Sequence, residues 1–216
     1  KFGPNSSFAQ DMEPEYVAIS ANSKTAWVSL QENNAIARID IKSKTIEEIL
    51  PLGFKNYNLS FNAIDPSDAD GMIGNFSTWP VKGMYLPDAI AVMPHNGVPF
   101  VYSANEGDSR DYTGFKEEIK LSDFPETKLD LTVFPNRADL IKKAQLGNLK
   151  LTRTLGDTDG DGDYDELYSF GARSFSIWNG QTGQQVYDSR NELDKEALKA
   201  GIYDDKRSDD KSTEPE

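Results

Sequence analysis

The chain has 216 residues, 23 basic and 36 acidic, so its formal charge is 23 − 36 = −13. Hydrophobic residues make up 37% and aromatics 11%, enough for a packed core and against wholesale disorder. An acidic surface repels phosphate and attracts cations, which argues against nucleic acid or anionic membranes as partners. There is no cysteine, so disulfides, thiolate zinc sites and cysteine nucleophiles are excluded. The single histidine, His95, excludes a multi-histidine zinc site and would have to serve any Ser-His-Asp triad. No apolar run approaches the roughly 20 residues of a membrane span, and no signal peptide is visible.

In chain order, residues 1–12 read as a polar entering arm, and the opening on Lys1 rather than Met leads us to expect a processed or excised piece. Residues 13–52 hold four short β-rich runs: Tyr16-Val17-Ala18-Ile19-Ser20, Thr25-Ala26-Trp27-Val28-Ser29-Leu30, Ala35-Ile36-Ala37-Arg38-Ile39-Asp40 and Thr45-Ile46-Glu47-Glu48-Ile49-Leu50. Small polar turns separate them, the pattern of a four-stranded antiparallel meander. Its length suits one blade of a β-propeller. Residues 53–86 are rich in Asn, Gly and Pro and read as a long inter-blade loop.

The pattern then recurs over residues 87–190. Pro14-Glu15-Tyr16-Val17-Ala18-Ile19 aligns with Pro87-Asp88-Ala89-Ile90-Ala91-Val92, and Gln31-Glu32-Asn33 with Asn105-Glu106-Gly107. Between them Pro94-His95-Asn96-Gly97 reads as a hairpin turn, which places His95 in solvent. The expected third and fourth strands come about 65 residues later, as Ser174-Phe175-Ser176-Ile177-Trp178 and Gln184-Gln185-Val186-Tyr187-Asp188. The second blade therefore carries an insertion over residues 108–172. Within it, residues 137–144 have helical apolar spacing, with Asn136 placed to cap. Residues 192–200 form a second short helix, stopped by Gly201, and an acidic strap follows to residue 216. The closing Thr213-Glu214-Pro215-Glu216 repeats Met12-Glu13-Pro14-Glu15, as if another unit were beginning. The fold class expected is all-β: about two antiparallel blades of a partial propeller, with a loop and short-helix insertion. Two blades cannot close a ring, so the remaining blades are expected on the same or another chain.

The strongest chemical signal is Asp157-Thr158-Asp159-Gly160-Asp161-Gly162-Asp163-Tyr164-Asp165-Glu166. Carboxylates at 157, 159 and 161 followed by Gly162 match the first half of an EF-hand calcium loop. Alternate side chains of a curled loop converge on one point, and calcium takes six to eight hard oxygens. The match fails at the twelfth position, which is Tyr168 where a bidentate glutamate is needed. The expectation is a shortened calcium loop using Asp157, Asp159, Asp161 and Asp163. It would be closed by Asp165, Glu166 or a distant oxygen. Magnesium suits it less, because its strict octahedral shell tolerates fewer carboxylates. The bland alternative is a solvated acidic turn. Asp65-Pro66-Ser67-Asp68-Ala69-Asp70-Gly71 is a weaker candidate cation cluster or a turn. In Asn105-Glu106-Gly107-Asp108-Ser109-Arg110-Asp111 the arginine serves either function or structural ion pairs. Asn5, Asn58 and Asn75 begin glycosylation triplets, all in segments read as loops.

Taken with Trp79-Pro80-Val81-Lys82-Gly83-Met84-Tyr85, Ala104-Asn105-Glu106-Gly107-Asp108-Ser109-Arg110-Asp111-Tyr112 and Phe170-Gly171-Ala172-Arg173-Ser174-Phe175-Ser176-Ile177-Trp178, the chain resembles the choice-of-anchor I domain. The same domain makes up the mesenchyme-specific cell-surface glycoproteins associated with biomineralisation. The resemblance implies a secreted or surface-anchored β-propeller of which this chain is the N-terminal part. Together with the acidic loop it leads to one expectation: an extracellular, non-enzymatic calcium-binding protein with a structural, adhesive or mineral-matrix role. Its partners would be Ca2+, and mineral or extracellular matrix. The alternative is a calcium-dependent phosphoesterase of the alkaline phosphatase or phytase kind, using Asp108, Asp111, Arg110 and Arg173.

Overall fold

In the computed structural model the described residues run from 6 to 203; the repeated Thr213-Glu214-Pro215-Glu216 and nearly all of the acidic strap lie outside them. The protein is mostly β. Its first sheet is the meander β1 (Pro14–Ile19), β2 (Thr25–Leu30), β3 (Ala35–Asp40) and β4 (Thr45–Pro51), antiparallel and in chain order. Each turn is short because one residue takes the left-handed conformation: Ser23, Asn34 and Lys44, at φ between +52° and +58°. Asn34 has a further task. Its side-chain amide donates to Gly53 O at 2.7 Å, and its Oδ1 accepts from Tyr85 N at 2.9 Å and Leu86 N at 3.1 Å. One turn thus fixes both ends of the excursion that follows the sheet.

The excursion holds β5 (Phe54–Asn56) and β6 (Lys82–Met84). The second sheet follows, built from β7 (Pro87–His95) and β8 (Val98–Asn105). Next, the insertion carries a small hairpin of β9 (Asp111–Tyr112) with β10 (Phe115–Lys116), then β11 (Glu118–Lys120), α1 (Arg137–Leu140), β12 (Lys150–Thr152) and β13 (Tyr168–Ser169). Strands β14 (Ser174–Asn179) and β15 (Gln185–Asp188) return to the second sheet, whose order is β15-β14-β8-β7, and α2 (Glu192–Lys199) ends the series. Asn96 and Gly97 turn the β7–β8 hairpin at φ +50° and +79°, a type I′ geometry that leaves His95 exposed.

Segment 53–86, expected as a connecting loop, is more than that. Its two strands join the insertion in a third sheet of order β11-β12-β13-β6-β5, in which β13 and β6 run parallel. Tyr57, Ile64 and Val81 from the excursion share one apolar core with Leu121, Leu129, Phe134, Leu146 and Leu167 from the insertion. The buried apolar residues of this core come from both segments, so excursion and insertion are packed as one unit.

The expected helix over 137–144 shortens to α1, and Asn136 makes no side-chain cap bond. Non-helical dihedrals at Gln145 turn the chain so that Leu146 and Leu149 reach the core. Helix α2 matches its expected span and stops before Gly201, whose φ is +70°. Asp194 in its first turn takes the buried Arg173 guanidinium in a two-pronged pair, with Nη2 to Oδ1 at 2.7 Å.

The first two sheets pack face to face. Ala18, Trp27 and Ile36 of the first lie against Ile90, Val101 and Trp178 of the second, with β7 against β1 and β2. Tyr85 meets Trp178 edge-on at 5.0 Å, and Trp27 Nε1 donates across to Gly180 O at 2.8 Å. Both sheets carry a register shift at the same place in their first strand, between Pro14 and Val17 and between Pro87 and Ile90. Pro14 faces Leu30 and Pro87 faces Asn105, so the pairing makes Leu30, not Gln31, the equivalent of Asn105. That one-residue correction reverses which faces correspond. Trp27 becomes equivalent to Tyr102, on the far face of the second sheet, and Val28 equivalent to Ser103, on its buried face. The two sheets therefore pack head to tail.

Candidate metal centre

The acidic loop is closed at its neck by Gly156. Its carbonyl accepts from Asp165 N at 2.8 Å and Glu166 N at 3.1 Å. A Cβ at Gly156 would stand 2.2 Å from Glu166 O, and the residue's φ is +115°, so glycine is required there. Inside the loop the carboxylates accept from the backbone. Asp157 takes Gly160 N at 2.7 Å and Gly162 N at 3.1 Å; Asp159 takes Asp161 N at 3.2 Å; Asp161 takes Asp163 N at 3.0 Å. Thr158 donates to Asp165 Oδ2 from both its amide, at 2.8 Å, and its hydroxyl, at 2.7 Å. These two bonds hold the Asp165 carboxyl below the usual range.

Carboxylate oxygens of Asp157, Asp159 and Asp165 lie within 4.8 Å of one another, and so do those of Asp130, Asp163 and Asp165. Asp165 belongs to both groups. Asp161 enters neither. Glu166 turns away and pairs with Lys82 Nζ at 2.6 Å while accepting from the Tyr168 hydroxyl, which holds its carboxyl down. Asp130 is the residue the sequence reading missed. Nothing around it spells a ligand, because it reaches the loop through tertiary pairing: Asp130 N donates to Tyr164 O at 3.1 Å and Tyr164 N to Lys128 O at 2.8 Å. Lys128 Nζ also donates to Gly162 O at 2.6 Å.

The donor set suits a hard cation. Every group offered is an oxygen, and Asp163 Oδ1 is shielded from solvent with no hydrogen-bond partner. Partial burial and then the neighbouring charges of Asp161, Asp130 and Asp165 push the Asp163 carboxyl up.

The remaining candidates are dispersed. Arg110 is 1% exposed and pairs with Asp11 at 3.2 Å and Glu117 at 3.2 Å. Arg173 is held by Asp194, Asp108 accepts from Ser109 N, and Asp111 lies 3.8 Å from Lys116. Asn58 is exposed, Asn5 lies outside the described residues, and Asn75 already donates its Nδ2 to Asp70 at 2.8 Å.

Glu32, beside Arg110, has a shielded Oε2 without a partner. Burial above all, with Glu13 and Asp108 adding repulsion that Arg110 opposes, raises its carboxyl from 4.5 to about 7. Between these values the folded chain keeps a proton that the unfolded chain has released, so stability falls as pH rises through that window. Denaturant titrations of Glu32→Gln and the parent between pH ~5 and ~8 should show a flatter profile for the variant; parallel profiles would refute this.

A mostly β protein of two head-to-tail four-stranded sheets, with an aspartate-rich loop inserted in the second, is the class these observations define. A family model for the choice-of-anchor I domain matches residues 2–216, and the chain belongs to that family. No curated protein and no solved structure gave a match. Among the described residues no helix is long and apolar enough to cross a membrane.

Proposed function

We propose that this protein is a secreted or surface-anchored calcium-binding protein with a structural or adhesive role in a calcium-rich matrix, and that the loop over residues 157–165 is its calcium site. The observation that carries the reading is the convergence of Asp157, Asp159 and Asp165, with Asp130 and Asp163 forming a second group that shares Asp165. The family name points to the cell surface, and the charge of −13 suits a setting of abundant divalent cations. Calcium would cancel the repulsion within the loop and hold residues 128–130 to residues 162–164. The phosphoesterase reading lacks support, since Arg110 and Arg173 are both engaged in buried pairs.

The first two sheets are read here as consecutive blades of a β-propeller. Val17, Ile19, Val28, Ala35 and Ala37 lie on the outer face of the first sheet, with Val17 and Ile19 each 54% exposed. Tyr102, Phe175, Ile177 and Tyr187 line the outer face of the second. By the head-to-tail equivalence each outer face is the counterpart of one already buried between the sheets. Further blades, on this polypeptide or another, are the occupants that fit.

Calorimetric titration of metal-stripped protein tests the calcium site. Heat should appear with calcium, with an affinity in the ~10⁻⁴–10⁻³ M range of extracellular modules. At about 100-fold excess over Kd the bound ion adds about 2.7 kcal/mol of stability. Asp165→Asn should abolish both the heat and any calcium protection of the loop against proteolysis. Equal protease sensitivity with and without calcium in the parent would refute the reading.

A further inference from the structure

Lys55, in the middle of β5, is a lysine held away from water. It is 3% exposed, and its Nζ meets Ala172 O at 2.8 Å, Arg190 O at 2.8 Å and Asp188 Oδ1 at 3.1 Å. These contacts use every hydrogen of the ammonium group. Asp188, the last residue of β15, is held as firmly. Its Oδ1 also accepts from Arg190 N at 2.8 Å, and its Oδ2 accepts from Ser174 Oγ and Ser176 Oγ, each at 2.7 Å. Asn105 Nδ2 donates to both serine oxygens, at 3.0 Å and 2.8 Å, which leaves their hydroxyl hydrogens for the carboxylate. Asn105 and both serines are themselves buried.

The arrangement favours more than an ion pair. Burial penalises both charges, and burial above all pulls the Lys55 ammonium below its usual range, against the opposing charge of Asp188. Moving one proton from Nζ to Oδ1 along their contact turns the pair into an amine and a carboxylic acid. The two carbonyls then keep the two remaining hydrogens, so the lone pair of the amine is left on the side of Asp188. A desolvated lysine is a nucleophile, and a fixed acceptor beside it replaces a bimolecular encounter. The serine hydroxyls at Oδ2 stand where negative charge would develop on attack, as the donors of an oxyanion hole do.

We propose that Lys55 and Asp188 join in an intramolecular isopeptide bond, which the folded chain forms by itself with loss of one water. The step balances within the pair. Nζ gives one proton to Oδ1 and attacks Cγ, forming the N–C bond and placing negative charge on Oδ2, where Ser174 and Ser176 donate. A second Nζ proton follows to Oδ1, the Cγ–Oδ1 bond breaks, and water leaves; the amide nitrogen keeps the third hydrogen. No oxidant or other co-reactant is consumed. The bond staples the edge of the third sheet, β5, to the edge of the second, β15, in a chain that has no cysteine for the purpose. It is independent of calcium and of the loop over residues 157–165.

Intact mass measured on the denatured full chain tests this directly. The parent should weigh one water less than its sequence, and digestion should release a branched peptide joining the segment around Lys55 to that around Asp188. Lys55→Arg should return the chain to its full sequence mass. Ser174→Ala with Ser176→Ala should leave a larger share of freshly made protein at full mass, since the hydroxyls position the reaction. Where a buried variant fails to fold, the mass and the peptide map of the parent decide alone. A parent at full sequence mass would overturn the proposal and leave Lys55 and Asp188 as a buried ion pair. So would a missing water that maps to a cyclic imide at Asp70-Gly71, Asp159-Gly160 or Asp161-Gly162 instead of to the branched peptide.

Discussion

Arg110→Ala should lower unfolding stability by about 3–5 kcal/mol, the cost of stripping one partner from a buried ion pair. The guanidinium reaches Asp11 Oδ1 at 3.2 Å, Glu117 Oε2 at 3.2 Å and the Glu32 carbonyl at 2.7 Å, so it joins the entering arm, the first sheet and the insertion. Asp11 and Glu117 are each 3% exposed, and without the arginine both would be left with little compensation for burial. Glu117 keeps a bond from Thr152 Oγ1 at 2.9 Å, which is too little to offset a buried charge. Arg110→Lys should recover only part of the loss, since an ammonium cannot reach all of these acceptors with one planar fork. Denaturant unfolding monitored by tryptophan fluorescence measures both variants; a loss below about 1 kcal/mol for the alanine variant would contradict the account.

Trp27→Ala should cost about 3–5 kcal/mol as well, for a different reason. Trp27 is 2% exposed at the centre of the joint between the first two sheets, and its indole bond to Gly180 O crosses that joint. Truncation would leave both a cavity and an unpaired carbonyl. The fit is close from the other side too, because a Cβ at Gly180 would stand 3.1 Å from Trp27 Nε1. Since the joint is what holds the first sheet to the second, the variant should also lose cooperativity, with the denaturant slope falling alongside the midpoint. A shifted midpoint with an unchanged slope would mean that the sheets stay docked without the indole.

The first sheet was readable because its strands are consecutive and its turns fall at regular spacing, from Asn22-Ser23 through Asn33-Asn34 to Ser43-Lys44. The second sheet was readable too, despite the insertion, because β14 and β15 complete a pattern that β7 and β8 begin. The face assignment was not: aligning Gln31 with Asn105 missed the shared bulge by one residue, and a strand has no tolerance for that error. The third sheet left no trace in the sequence, since strands of two or three residues from both the excursion and the insertion carry no periodicity. The same holds for the candidate centre. Its aspartate run is local and plain to read, while Asp130 arrives by tertiary pairing and Glu166 is diverted by Lys82, 84 residues before it.

The two principal sheets should also differ in when they form. Every pairing in the first sheet closes a turn of a few residues, so its strands can zip in sequence at small entropic cost. In the second, Asn105 pairs with Ser174, and the whole of residues 106–173 must be looped out or already folded before β14 can dock on β8. Contacts that distant slow folding. The first sheet is thus the natural nucleus, and the β7–β8 hairpin waits beside it with an open edge. A nascent chain would pass through a stage in which that edge is unpaired, and the time spent there is set by how fast the inserted segment condenses.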